Sequence, residues 1–127
     1  MHDEIAAWLR AAAERIHAEA PALTALDQAI GDGDHGINLD RGFKAIVAML
    51  DNRPAAADGT TDQTATADLL RQVGKTLIST VGGASGPLYG TAFIEAGFRA
   101  GDAARRSCGR VSASGRTTTV RSASRRG

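Results

Sequence analysis

Residues 26–38 read Leu26-Asp27-Gln28-Ala29-Ile30-Gly31-Asp32-Gly33-Asp34-His35-Gly36-Ile37-Asn38. Gly31 and Gly33 interrupt an apolar helical pattern that arrives from upstream, and Asn38 or a neighbour opens another that runs through Phe43, Ile46, Val47 and Leu50. Helix, acidic loop, helix is the resulting motif. Upstream, Ile5, Trp8, Leu9, Ala12, Ile16 and Ala20 recur at three and four, which predicts an amphipathic helix from Asp3 to about Ala20. Pro21 suits the first turn of a new helix, so the spacing predicts a second helix over 21–30 with Asp27 near its end.

Downstream, residues 51–62 carry Pro54, Gly59 and several Thr and Asp without an apolar period, the pattern of a surface loop. Leu69, Leu70, Val73, Leu77 and Ile78 restore a helical stripe over about 65–80. Then come Gly82-Gly83-Ala84-Ser85-Gly86-Pro87-Leu88-Tyr89-Gly90, a second glycine-rich turn, and the start of a further helix over 91–100. The alanine-rich composition, with only five aromatics in 127 residues, favours packed helices over a sheet. Trp8 and Phe43, at helical spacing with other apolar residues, read as core; His2, His17, Arg41 and Lys44 read as solvated helix faces.

The net charge of +1 hides two opposite segments: residues 1–100 hold 8 Lys/Arg against 13 Asp/Glu, whereas residues 101–127 hold 7 Arg against one Asp. That second segment contains no Leu, Ile, Phe, Trp or Lys, so no apolar face can be drawn and a disordered tail is expected. The single cysteine, Cys108, cannot close an internal disulfide, no apolar run approaches a membrane span, and a cytoplasmic location with no membrane partner is expected.

Asp27, Asp32 and Asp34 place three hard carboxylate oxygen donors within eight residues, and the glycines between them let the backbone bend until they converge. Two readings stay open: a divalent-cation site, since converging carboxylates repel without a counter-charge, and a solvated turn. An EF-hand does not fit, because counting from Asp32 the sixth position is Ile37 rather than Gly and the twelfth is Phe43 rather than Glu. Magnesium, which takes few protein carboxylates and leaves positions to water and phosphate, fits better. Gly82, Gly83 and Gly86 could likewise serve backbone contact with a phosphate or a close helix crossing; no Lys and no Walker A spacing accompany them.

Two strings together, residues 26–38 and Val81 through Phe93, resemble the L subunit, or L domain, of dihydroxyacetone kinases. The resemblance covers residues 1 to about 100, which divides the chain into a partial nucleotide-binding domain, 1–100, and an Arg/Ser-rich tail outside the family pattern, 101–127. It implies an all-α fold, the N-terminal half of an eight-helix antiparallel barrel. It also implies that Asp27, Asp32 and Asp34 hold two Mg2+ ions, that His35, Gly36, Ile37 and Asn38 contact ADP or ATP, and that Ala84 and Ser85 touch phosphate. The partners it implies are a K subunit that holds dihydroxyacetone and, for a free-standing L subunit with its motif only about 25 residues after Met1, a phosphotransferase-system phosphoryl donor.

From Gly101 onward the sequence resembles out-of-frame translation of GC-rich DNA, which makes a truncated gene product, and so an inactive fragment of the L subunit, the second expectation. A third is a helical module whose seven tail arginines bind nucleic acid; it ranks last, because the tail carries no aromatics and no reading motif.

Overall fold

The computed structural model describes residues 1–114, with side chains through 107, and within them there are four α-helices and no strand. These are α1 His2–Gln28, α2 His35–Asp51, α3 Asp62–Thr80 and α4 Ser85–Ser114. The pairings are α1 with α2 and α3 with α4, and both members of the first pair also meet α3. The all-α expectation holds; the described residues form four helices.

Several helix boundaries differ from the sequence expectation, each for a physical reason. The two helices expected on either side of Pro21 are one, with Pro21 inside α1. A mid-helix proline removes one backbone bond and costs about 3 kcal/mol. The alanines flanking Pro21 favour helix, and Ile16 and Leu23 pack against the same core on either side of it. Helix α2, expected to open at Asn38 or a neighbour, starts at His35, where the backbone N–H groups of Asp34 and His35 are capped from a distance by Asp27. Helix α3 starts at Asp62, since Thr61 is a proper N-cap whose hydroxyl accepts from the Thr64 N–H at 3.2 Å.

Helix α4 begins at Ser85 rather than Thr91 and passes Gly101 without a break, reaching Ser114. Extending an existing helix costs no new nucleation, and Ala103, Ala104, Arg105 and Arg106 are strong helix formers, so residues 101–114 need no apolar face to continue it. The disordered tail expected from 101 is thus helix to 114; its remainder, 115–127, lies outside the described residues.

Leu9, Ile46, Leu69, Val73 and Leu77 are fully buried, and Leu39, Phe43 and Val81 complete the core, so Phe43 lies where its spacing put it. Trp8 does not. It is 56% exposed, with its ring 6.3 Å from that of Phe93, because neighbouring helical positions point about 100° apart and Leu9 takes the inward one. Ile78 is likewise exposed, as are Leu26, Ile30, Ile37, Leu88 and Phe98. No helix among the described residues is long and apolar enough to cross a membrane.

Helices α3 and α4 approach closely because Gly74 faces Gly90: a Cβ on Gly74 would lie 2.5 Å from the Gly90 carbonyl oxygen, and one on Gly90 would lie 2.8 Å from that of Gly74. Gly74→Ala is therefore predicted to destabilise the protein by about 1–3 kcal/mol, the usual cost of overpacking, while Ser79→Ala on the exposed face of α3 changes it by less than about 0.5 kcal/mol. Urea denaturation followed by far-ultraviolet circular dichroism reads both.

Candidate functional site

The acidic loop is organised around one carboxylate. Asp27 lies in the last turn of α1, and its Oδ2 accepts hydrogen bonds from the backbone N–H groups of Gly33 (2.9 Å), Asp34 (3.1 Å) and His35 (3.3 Å). The N–H groups of Asp34 and His35, the N-cap and first residue of α2, are ones that a helix start cannot satisfy internally, and Asp34 makes no side-chain cap of its own. The loop can turn back this tightly because Gly33 has φ +73°, a conformation that side chains with a Cβ disfavour.

The turn brings Asp27, Asp32 and Asp34 together, with one carboxylate oxygen of each within 4.8 Å of the others. Partial burial pushes the Asp27 carboxyl up, but the N–H donors of Asp34, His35 and Gly33 outweigh it and hold the group below the usual carboxylate value. Asp32 moves the other way: its hydrogen bond with Asp34, the repulsion between the two charges and some desolvation raise it. Among the described residues no Lys, Arg or His forms an ion pair with any of the three. Hard oxygen donors, crowded and without a protein cation, match what a small divalent ion requires.

The second half of the site comes from the turn between α3 and α4. Val81 ends α3 in an extended conformation, Gly83 takes φ +64°, and Ser85 opens α4. The Ser85 hydroxyl and His35 Nδ1 share a 3.0 Å hydrogen bond, which joins the first residue of α4 to the first residue of α2 across fifty positions of sequence. A cleft of about 210 Å³ results, walled on one side by Asp27, Asp32, Asp34, His35 and Asn38 and on the other by Gly82, Gly83, Ala84 and Ser85. The N-terminal ends of α2 and α4 both border it, and such ends favour anions.

Of the expected nucleotide contacts, His35, Asn38, Ala84 and Ser85 line this cleft, whereas Gly36 and Ile37 do not. Gly36 is buried where α2 meets α1, so close to the Ala20 carbonyl that no Cβ could fit, and Ile37 points outward at 60% exposure. In the glycine turn, Gly82 and Gly83 border the cleft, while Gly86 packs on the Val81 carbonyl and Gly90 serves the close helix crossing with α3.

Arg41 is exposed, as its reading as a solvated helix face expected, and it also donates from Nε to the Thr80 carbonyl at 2.9 Å and from Nη2 to Asn38 Oδ1. The available signal was its spacing of three from Asn38, which puts the two on one helix face.

Comparison with known proteins gives the family. Residues 29–125 match the DAK2 domain, past the position near 100 where the sequence resemblance was expected to stop. The chain is 45% identical over 93 residues to the ADP-binding subunit DhaL of the PEP-dependent dihydroxyacetone kinase of Escherichia coli, covering 73% of this chain and 40% of that protein. It is 48% identical over 88 residues to the ADP-binding subunit of PEP-dependent dihydroxyacetone kinase 1 of Listeria innocua, covering 68% and 40%. With the ADP-binding subunit of the PTS-dependent kinase of Lactococcus lactis the figure is 39% over 87 residues, covering 68% and 41%. The chain thus spans about 40% of the length of these relatives.

Two substitutions test whether the carboxylate cluster takes a cation and separate that from the part Asp27 plays in the helix junction. Asp27→Ala is predicted to lower both the thermal midpoint and Mn2+ affinity, because it strips three N–H groups of their acceptor; Asp32→Asn lowers Mn2+ affinity alone and leaves the midpoint unchanged or raised, since it relieves repulsion with Asp34. Protons compete with a cation for these oxygens, and as pH falls the raised Asp32 carboxyl protonates before the depressed Asp27. Mn2+ affinity, read by electron paramagnetic resonance, therefore begins to drop above the ordinary carboxylate value of 3.8, whereas the depressed Asp27 stays ionised to lower pH.

Proposed function

This chain belongs to the DAK2-domain family as a DhaL-type chain, and we propose on that premise that it holds ADP or ATP with magnesium for phosphoryl transfer to dihydroxyacetone carried by a separate K subunit. The observation that carries the reading is the convergence on one cleft of three carboxylates and two helix N-termini. A nucleotide diphosphate with its cations is a ligand that uses both. In this reading a phosphotransferase-system protein is the phosphoryl donor, in keeping with the PEP- and PTS-dependent names of the relatives.

Asp27, Asp32 and Asp34 would hold two magnesium ions. Magnesium, when bound, neutralises phosphate oxygens and the charge on the transferring phosphoryl group. Asp27 is already fixed by its three N–H donors, so its oxygens need little reorganisation on binding. Ala84 and Ser85 offer backbone N–H groups at the start of α4, and the missing side chains of Gly82 and Gly83 leave room for phosphate to reach them. The Ser85 hydroxyl and the His35 ring, tied to each other, present polar edges from both walls; Asn38, 6% exposed, adds a carboxamide at the cleft floor. The residues thus bind and orient, which is most of what phosphoryl transfer asks of a protein.

Calorimetry with ADP tests the reading. The wild-type chain is expected to bind ADP in the presence of Mg2+, and Asp32→Ala or a chelator is expected to weaken that binding at least about tenfold. A folded wild-type chain that takes up Mn2+ but no ADP would instead favour the fragment reading, in which the metal cluster persists without enough contacts to retain a nucleotide.

A further inference from the structure

We infer that Arg41 is a positioning residue that fixes which end of the Asn38 carboxamide faces the cleft, so that the site presents an N–H2 donor to an anionic ligand; the inference rests on the nucleotide-binding reading above. Arg41 has only donors, so the amide end it touches must be the oxygen. The carboxamide lies beside the glycine turn, with a Cβ on Gly82 falling 3.2 Å from Nδ2 and 3.4 Å from Oδ1; since Oδ1 is engaged by Arg41, Nδ2 is the end left to a ligand there. Gly82 and Asn38 both line the cleft. An amide in the opposite orientation would offer a carbonyl oxygen to a site already crowded with three carboxylates, and would repel phosphate.

The same guanidinium closes a second link. Its Nε donates to the carbonyl of Thr80, the last residue of α3, whose carbonyl has no partner further along that helix. One planar fork therefore bridges α2 to the end of α3 immediately before the glycine turn, and holds the turn in register with Asn38. A point charge on a flexible stem cannot match two acceptors in this fixed geometry, so Lys is a poor substitute. Lys44, one turn further along α2, pairs with Asp40 instead and touches neither acceptor.

The test is a double-mutant cycle on ADP affinity in Mg2+, combined with 15N relaxation of the Asn38 side-chain N–H2 in nucleotide-free protein. Arg41→Ala and Arg41→Lys should each weaken ADP binding by about fivefold to tenfold, the scale of one well-aligned hydrogen bond, and should lower the order of the Asn38 amide. Lys44→Ala, a control for lost positive charge, should leave both unchanged. In an Asn38→Ala background, Arg41→Ala should cost little more.

An Arg41→Ala penalty equally large in the Asn38→Ala background, or an Asn38 amide equally ordered in Arg41→Ala and wild type, overturns the positioning role. Should Arg41→Ala fail to fold, Arg41→Lys, which keeps the stem, decides by the same two readings. If wild type binds no ADP, the parent reading fails by itself, and the order of the Asn38 amide still decides whether Arg41 positions it.

Discussion

The Asp27 carboxylate is the constraint on which the site depends. A helix start leaves backbone N–H groups without partners, and at the start of α2 the local N-cap side chain leaves them so. From the end of the preceding helix, Asp27 satisfies two of these groups, at Asp34 and His35, together with the loop N–H of Gly33. That bond pattern folds residues 29–34 into a tight reversal and fixes where α2 begins. It also forces Asp32 and Asp34 next to Asp27 and to each other, which raises the Asp32 carboxyl in the absence of a neutralising charge. Stabilising the helix junction and concentrating negative charge are two results of one geometry.

Packing supplies the other wall. Leu69, Val73 and Leu77 bury one face of α3, and the small residues Gly74 and Gly90 let α4 lie close against another. Because α3 and α4 are joined by only the short turn at 81–84, the first turn of α4 is delivered beside the first turn of α2, where Ser85 meets His35. Polar chemistry at the cleft thus rests on an apolar arrangement further down the helices. Arg41 reinforces the alignment from below by gripping the end of α3 and Asn38 together.

The apolar side chains that stay exposed, among them Trp8, Leu88 and Phe98, set the limits of this core. Four helices of this length bury one stripe each against one another and leave further apolar positions to solvent. Continuity of α4 through Gly101 shows why a composition change need not end an element: alanine and arginine prolong a helix that is already nucleated, whatever its apolar pattern.

By itself the sequence determined that the chain is helical, that an acidic glycine loop separates two helices, and that Asp27, Asp32 and Asp34 are candidates for one site, because helical spacing, glycine and charge are local properties written at fixed intervals. The resemblance of residues 26–38 and 81–93 to the L subunit also marked Ala84 and Ser85. Only the tertiary structure decided that Pro21 lies inside a helix, that Leu9 rather than Trp8 faces the core, and that Gly36 and Ile37 turn away from the cleft while Arg41 reaches into its frame. Each of those outcomes turns on a partner distant in sequence: the core shared by both ends of α1, the Ala20 carbonyl against Gly36, the Thr80 carbonyl for Arg41. A periodic pattern shows that a face exists, but which residue of that face meets a neighbour depends on the neighbour's position in space.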